Sequence, residues 1–116
     1  MATTLTRATG VGQGPRRSSV FTTWVLANGE SGQILNAVGF NDKSVHVYGT
    51  FGGATVTMKG GNVNDATKFV TLKDKAGTDL ALTAAGVNSL RDNVGFLQPV
   101  ISGGSGSAIT IVLLME

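Results

Sequence analysis

The residues of this chain that could do chemistry are few and scattered. His46 is the single histidine, and the carboxylates are Glu30, Asp42, Asp65, Asp74, Asp79, Asp92 and Glu116. A lone histidine supports neither a Ser-His-Asp triad nor a two-histidine metal site. Most of the acids stand beside turn residues, where a carboxylate accepts hydrogen bonds from nearby backbone N–H groups. No motif gathers two of them into the pair that glycoside hydrolysis needs. The stretch "GNVND" could offer Asp65 and carbonyl oxygens to a hard cation, but it lacks the carboxylate density of a calcium loop.

Cysteine is absent, which removes thiolate metal sites and disulfides. The run "GVGQG" near the N-terminus is not a phosphate loop, since no strand precedes it and no Lys-Ser/Thr follows. With one Trp, one Tyr and five Phe, aromatics are too sparse to form a stacking platform for single strands. The expectation is therefore a protein with no catalytic residues, no metal, no cofactor and no direct contact with nucleic acid.

The elements that would carry such residues are patterned with much more care. A chain of 116 residues is one domain in length; only 14% of it is charged, and it holds 17 glycines. Average proteins are about 25% charged. That composition favours short strands and many turns, hence an all-β, antiparallel β-sandwich. In "SVHVYGTFGGATVTMKGG", Val45, Val47 and Phe51 share one parity, and Ala54, Val56 and Met58 share another. A Gly52-Gly53 turn between them reads as a hairpin in which Phe51 faces Ala54, Val47 faces Met58 and His46 faces Lys59.

The remaining stretches supply the rest of the sandwich. "VFTTWVLANGESGQ" predicts a strand that buries Trp24 and Leu26 before an Asn28-Gly29 turn, and "ILNAVGFNDKS" predicts another that ends at an Asn41-Asp42 turn. In "KFVTLKDKAGTDLALT", Phe69 and Leu72 are expected inward, with a turn at Ala76-Gly77. "AAGVNSLRDN" has a helical spacing of Val87, Leu90 and Val94, too short for a stable helix, and is read as one turn or a loop. Two last strands cover Val94 to Ile101 and Ser107 to Leu114. The final strand turns Ile109, Ile111 and Leu113 inward yet also carries Val112 and Leu114 on its outer side, a first indication of a subunit interface.

Charge divides the chain in two. Arg7, Arg16 and Arg17 fall in the first 19 residues with no acid among them, whereas the other 97 residues hold six bases against seven acids. Residues 1–19 thus read as a flexible basic N-terminal arm, extended and poor in large apolar residues, and 20–116 as the single sandwich domain. The first residues lack the apolar core of a signal peptide, and no run approaches the ~20 apolar residues of a membrane span. Synthesis in the cytoplasm without a membrane partner is expected.

The succession "WVLANGESGQ", "SVHVYGTFGGATVTMKGGN", "FVTLKDKAGTDLALT", "FLQPVISGGSGSAITIVLL" resembles a family of small tailed-phage capsid decoration, or cement, proteins. The resemblance runs from about Val20 to Leu114 and rests on the GTFGGATV core, an aromatic-x-x-Leu and a late x-x-Pro. The same order of motifs is similar to discoidin-like jelly rolls, which bind carbohydrate or lipid surfaces. Both imply a jelly-roll-like sandwich.

The phage resemblance implies a virion protein on the outer capsid surface. Its partners would be the major capsid protein and copies of itself, expected as a homotrimer, and it would bridge capsid subunits of the expanded shell. Arg7, Arg16, Arg17, Val112 and Leu114 are the partner-binding residues this implies. A tail or baseplate accessory protein and a carbohydrate-binding module are the alternatives. The second is weakened by Phe69 and Gln98, where the resemblance implies Trp and Arg.

Overall fold

The computed structural model describes Thr6–Thr9 and residues 19–116. Its strands are β1 (Thr6–Thr9), β2 (Val20–Ala27), β3 (Leu35–Asn36), β4 (Lys43–Thr50), β5 (Thr55–Gly61), β6 (Val70–Thr71), β7 (Ala81–Leu82), β8 (Gly86–Ser89), β9 (Phe96–Ser102) and β10 (Ala108–Met115). One 3-10 turn, Ala66–Lys68, begins at Asp65, whose carboxylate accepts the Thr67 N–H at 3.0 Å. The described residues form an all-β, antiparallel sandwich. Its first sheet has the order β1-β2-β10-β4-β8 and its second the order β3-β9-β5-β6, with β7 also paired to β5.

From β2 to β5 and again from β8 to β10, successive strands alternate between the sheets, as expected for a jelly-roll-like sandwich. The predicted hairpin is therefore not a hairpin. The turn is correct: Gly52 and Gly53 have φ of 57° and 84°, and the Ala54 N–H donates to the Phe51 carbonyl at 2.9 Å. However, β4 pairs with β10 and β8, whereas β5 pairs with β9, β6 and β7. His46 consequently stands beside Val112 and Val87 rather than Lys59. Alternation specifies which side of a strand is apolar, and two strands satisfy it equally by lying side by side or by facing each other across a core. Glycine is required at 52, where a Cβ would lie 2.2 Å from the Ser105 carbonyl oxygen.

Three further expectations shift. The segment read as one helical turn or a loop contains strand β8, with Val87 65% exposed and Leu90 buried. Val87 and Leu90, three apart, fall on opposite sides of an extended segment whose pairing with β4 continues as the Leu90 N–H donates to the Lys43 carbonyl at 2.9 Å. The strand expected in "ILNAVGFNDKS" shrinks to two residues, and the chain turns at Val38-Gly39 rather than at Asn41-Asp42. There Gly39 has φ of 95° and the Phe40 N–H donates to the Ala37 carbonyl. Within the segment read as an arm, Thr6–Thr9 pair antiparallel with β2, and Arg7 stands in register with Thr22. Arg16 and Arg17 lie outside the described residues.

The core lies where the inner parities meet. Trp24, Leu26, Val45, Val47, Ile109, Ile111, Leu113 and Met115 from the first sheet face Val56, Met58, Leu97 and Ile101 from the second, with Leu72 and Leu80 closing one side. Each fully buried Leu, Ile or Val contributes about 1.5–3 kcal/mol. The Trp24 indole N–H donates to the Gln33 carbonyl at 3.1 Å, so its burial leaves no donor unpaired. Strand β10 sits at the middle of the first sheet, matched to β2 and β4 along its whole length. Pairing on both edges satisfies its backbone but leaves the outer parity of its "IVLL", Val112 and Leu114, half-buried.

Candidate interaction surface

Most of the carboxylates are committed to local structure. Asp74 Oδ1 accepts the Ala76 and Thr78 N–H groups, both at 2.9 Å. Asp92 accepts the Lys73 N–H at 2.9 Å and lies against Arg91, while Lys73 pairs with Asp79. Asp65 accepts both the N–H and the hydroxyl of Thr67, which hold its carboxyl below the usual range. Glu30 accepts the Ala27 N–H at 2.7 Å. Among the described residues no three or more His, Cys, Asp or Glu side chains gather as metal ligands would.

A shallow cleft of about 240 Å³ is lined by the turn at Ala37–Asn41 together with Asn62 and Asn93–Gly95. Its polar groups stitch loops together. Asn62 Oδ1 accepts the Gly95 N–H at 2.9 Å, and Asn93 Oδ1 accepts from the Lys43 ammonium at 2.6 Å. Lys43 is buried and also donates to the Phe40 carbonyl at 2.9 Å. Burial lowers its pKa, with the neighbouring Asp42 charge opposing the shift. Neither histidine nor carboxylate lines the cleft.

The distinctive surface is the outer side of the first sheet. On β2 the outer parity carries Phe21, Thr23 and Val25, with Phe21 and Val25 41% and 43% exposed. On β10 it carries Thr110, Val112 and Leu114, each half-buried. On β4 it carries Ser44, His46 and Tyr48, and on β8 Val87. The registers set these in rows: Leu114 lies between Phe21 and Ser44, Val112 between Thr23 and His46, and Thr110 between Val25 and Tyr48. His46 and Tyr48 rings lie 5.1 Å apart at a tilt of 49°. Four of the seven exposed large apolar residues among those described, Phe21, Val25, Tyr48 and Val87, occupy this one face. Among the described residues, no Lys, Arg, Asp or Glu stands on it across β2, β10, β4 and β8.

Val112 and Leu114 thus lie at the centre of the outer face, on the side the sequence assigned them. Arg7 does not join their rows; its register partner, Thr22, belongs to the row of Leu113. Sequence reasoning missed Phe21, Val25 and Val87 as members of this surface. The signal for the first two was present, since β2 is apolar at Phe21 and Val25 on one parity and at Trp24 and Leu26 on the other. Phe69 and Gln98 are not surface contacts: Phe69 is packed near Gly61, and Gln98 is buried with its amide donating to the Gly32 carbonyl at 2.8 Å.

No protein-family model matches the chain, and no curated protein matches it in sequence. Among solved structures, the fold is similar to that of the SPBc2 prophage-derived protein YomS, with a TM-score of 0.62 over 84% of this chain and 95% of that one. The two are 8% identical in sequence, so what they share is the sandwich itself.

Proposed function

We propose that this protein is a structural component of a phage virion, a head decoration protein that binds the outer capsid surface and bridges neighbouring subunits of the expanded shell. The observation that carries the reading is the uncharged apolar face around Val112 and Leu114, suited to contact between copies on a shell, on a protein whose carboxylates mostly serve its own turns. A clamp of this kind needs area, shape and copies, and no reactive group. The similarity in fold to a prophage-derived protein supports the phage assignment. The basic segment with Arg7, Arg16 and Arg17 would add attraction to acidic patches of the capsid protein, and many weak contacts on one shell add through effective concentration.

Co-sedimentation with expanded, undecorated heads tests it, with unexpanded heads as control. Saturable binding to expanded heads alone is expected, weakened when residues 1–17 are deleted. Binding to tail tubes instead would assign the protein to the tail, and binding to neither would overturn the virion reading.

A further inference from the structure

We infer that the outer face of the first sheet is the seat of a second copy of this chain, packed sheet on sheet about a two-fold axis, and that His46 makes this pairing sensitive to acid. The inference rests on the reading of that face as a subunit contact, and it concerns the protein alone, without any shell.

Three observations select a second copy as the occupant. The first is charge. In a two-fold interface the same patch meets itself, so a charged side chain must find its opposite within that one patch, and close to the axis it meets its own equivalent. This face carries no Lys, Arg, Asp or Glu across β2, β10, β4 and β8, so it meets itself without repulsion and offers a charged partner nothing to pair with.

The second is area. Three strands of eight residues and two of four, at about 3.3 Å per residue and about 4.8 Å apart, make a face of roughly 500 Å² per copy. Two copies would bury on the order of 1,000 Å², about what a specific interface must clear. The third is shape and composition. The rows are regular, the strands are matched residue for residue, and Phe21, Val25 and Tyr48 stand out from a floor of Thr110, Val112 and Leu114. Aligned sheets pack in this manner at about −30°, interleaving their side chains.

His46 sits among these rows. Its neighbours are Ser44 and Tyr48 on its own strand, Val112 on β10 and Val87 on β8. None is a carboxylate, and the partner's face would bring the same residues. Histidine changes charge between about pH 5 and 8. An imidazolium desolvated in a contact without a counter-charge is costly. Acidification should therefore separate the pair while leaving each sandwich folded.

Sedimentation equilibrium of the full chain, from roughly 1 to 100 µM, reads the outcome directly. At about pH 7.5 the expected mass is twice the 11.8 kDa of the chain, and at about pH 5 it falls toward that of the monomer. Val112→Asp should weaken association at least a hundredfold. Val25→Lys, at a position already exposed in the single chain, serves the same purpose if the first variant fails to fold, and near-ultraviolet dichroism of buried Trp24 reports folding in both. Lys59→Glu, in the second sheet, should leave the mass unchanged. His46→Gln should keep the pair intact at both pH values.

A monomer or a trimer at neutral pH overturns the inference, as does a dimer indifferent to folded Val25→Lys. A dimer of unchanged affinity at about pH 5 overturns the role of His46. A dimer that ignores expanded heads would sink the decoration reading and leave this one standing; a monomer that decorates them would do the reverse.

Discussion

The two sheets are built on different terms. In the first, β2, β4 and β10 are each eight residues long and β10 is paired along its whole length on both sides. In the second, β5 and β9 have seven residues each, and the flanking β3, β6 and β7 have two apiece. The second sheet is also extended along β9 by its own chain, where Ser31 bridges to Val100 and the Gly32 N–H donates to the Pro99 carbonyl at 2.8 Å, and its outer parity is mostly polar, with Thr55, Thr57, Lys59 and Gln98. The first sheet leaves Phe21, Val25 and Tyr48 in the open. A sheet whose outer row is mostly polar can face water, whereas a regular sheet with an uncovered apolar row is suited to a contact from outside.

Four tests break or sharpen this contrast. The largest effect is expected where the sheets are joined. Gly52→Val places a branched side chain at positive φ and against the Ser105 carbonyl, and should cost about 4 kcal/mol or more in urea denaturation. Gly53→Ala, whose Cβ would meet nothing nearer than 3.8 Å, should cost only about 1–2 kcal/mol. Equal losses at the two positions would remove the close approach of the 105 loop as the cause.

Next comes the shared core. Trp24→Ala should lose about 3–5 kcal/mol, because its ring fills the space between the sheets and its N–H is already satisfied inside. A loss near zero would mean that the inner face of the first sheet does not carry the fold.

Lys43, at the end of β4, tests the junction through pH. Its pKa is lowered by burial, so between that lowered value and about 10.4 the unfolded chain binds more protons and stability rises with pH. The stability of the wild type relative to Lys43→Met should therefore increase from neutral pH toward about pH 10, measured as the difference in denaturation free energy. A difference that is flat or falls with pH would contradict the burial of the ammonium.

The smallest effects separate the two outer faces. Gln98→Ala strips the Gly32 carbonyl of its buried donor and should cost about 1–3 kcal/mol. Val25→Thr, in the uncovered row, should stay within about 0.5 kcal/mol when measured at low protein concentration. If the two substitutions cost the same, the outer faces are not built on different terms.

Much of the candidate surface was legible, and the reason lies in strand periodicity. Val112 and Leu114 could be assigned to an outer side because side chains alternate along a strand, and Ile109, Ile111 and Leu113 then had to be inside. What surrounds Val112 could not be read in the same way. Thr23 and His46 flank it because β2 and β4 pair with β10 across more than sixty residues of sequence, and periodicity carries no record of a distant partner. Val87 was hidden for a second reason: β8 is four residues long, and the burial of Leu90 just beyond it mimics a helical spacing.

The sequence by itself determined the β class, the inward parity of β2, β4, β5 and β10, the glycine turn at 52-53, and the poverty of reactive groups. Those properties are local, set by backbone sterics and by which side of a strand is apolar. Only the tertiary structure decided that β4 and β5 belong to opposite sheets, that His46 lies beside Val112 rather than Lys59, and that the outer apolar residues of four strands form one uncharged face. Partner choice is made by the closing of the whole core. The same alternating strand packs as well across the sandwich as within a sheet, and the competition is settled by how every strand fits at once.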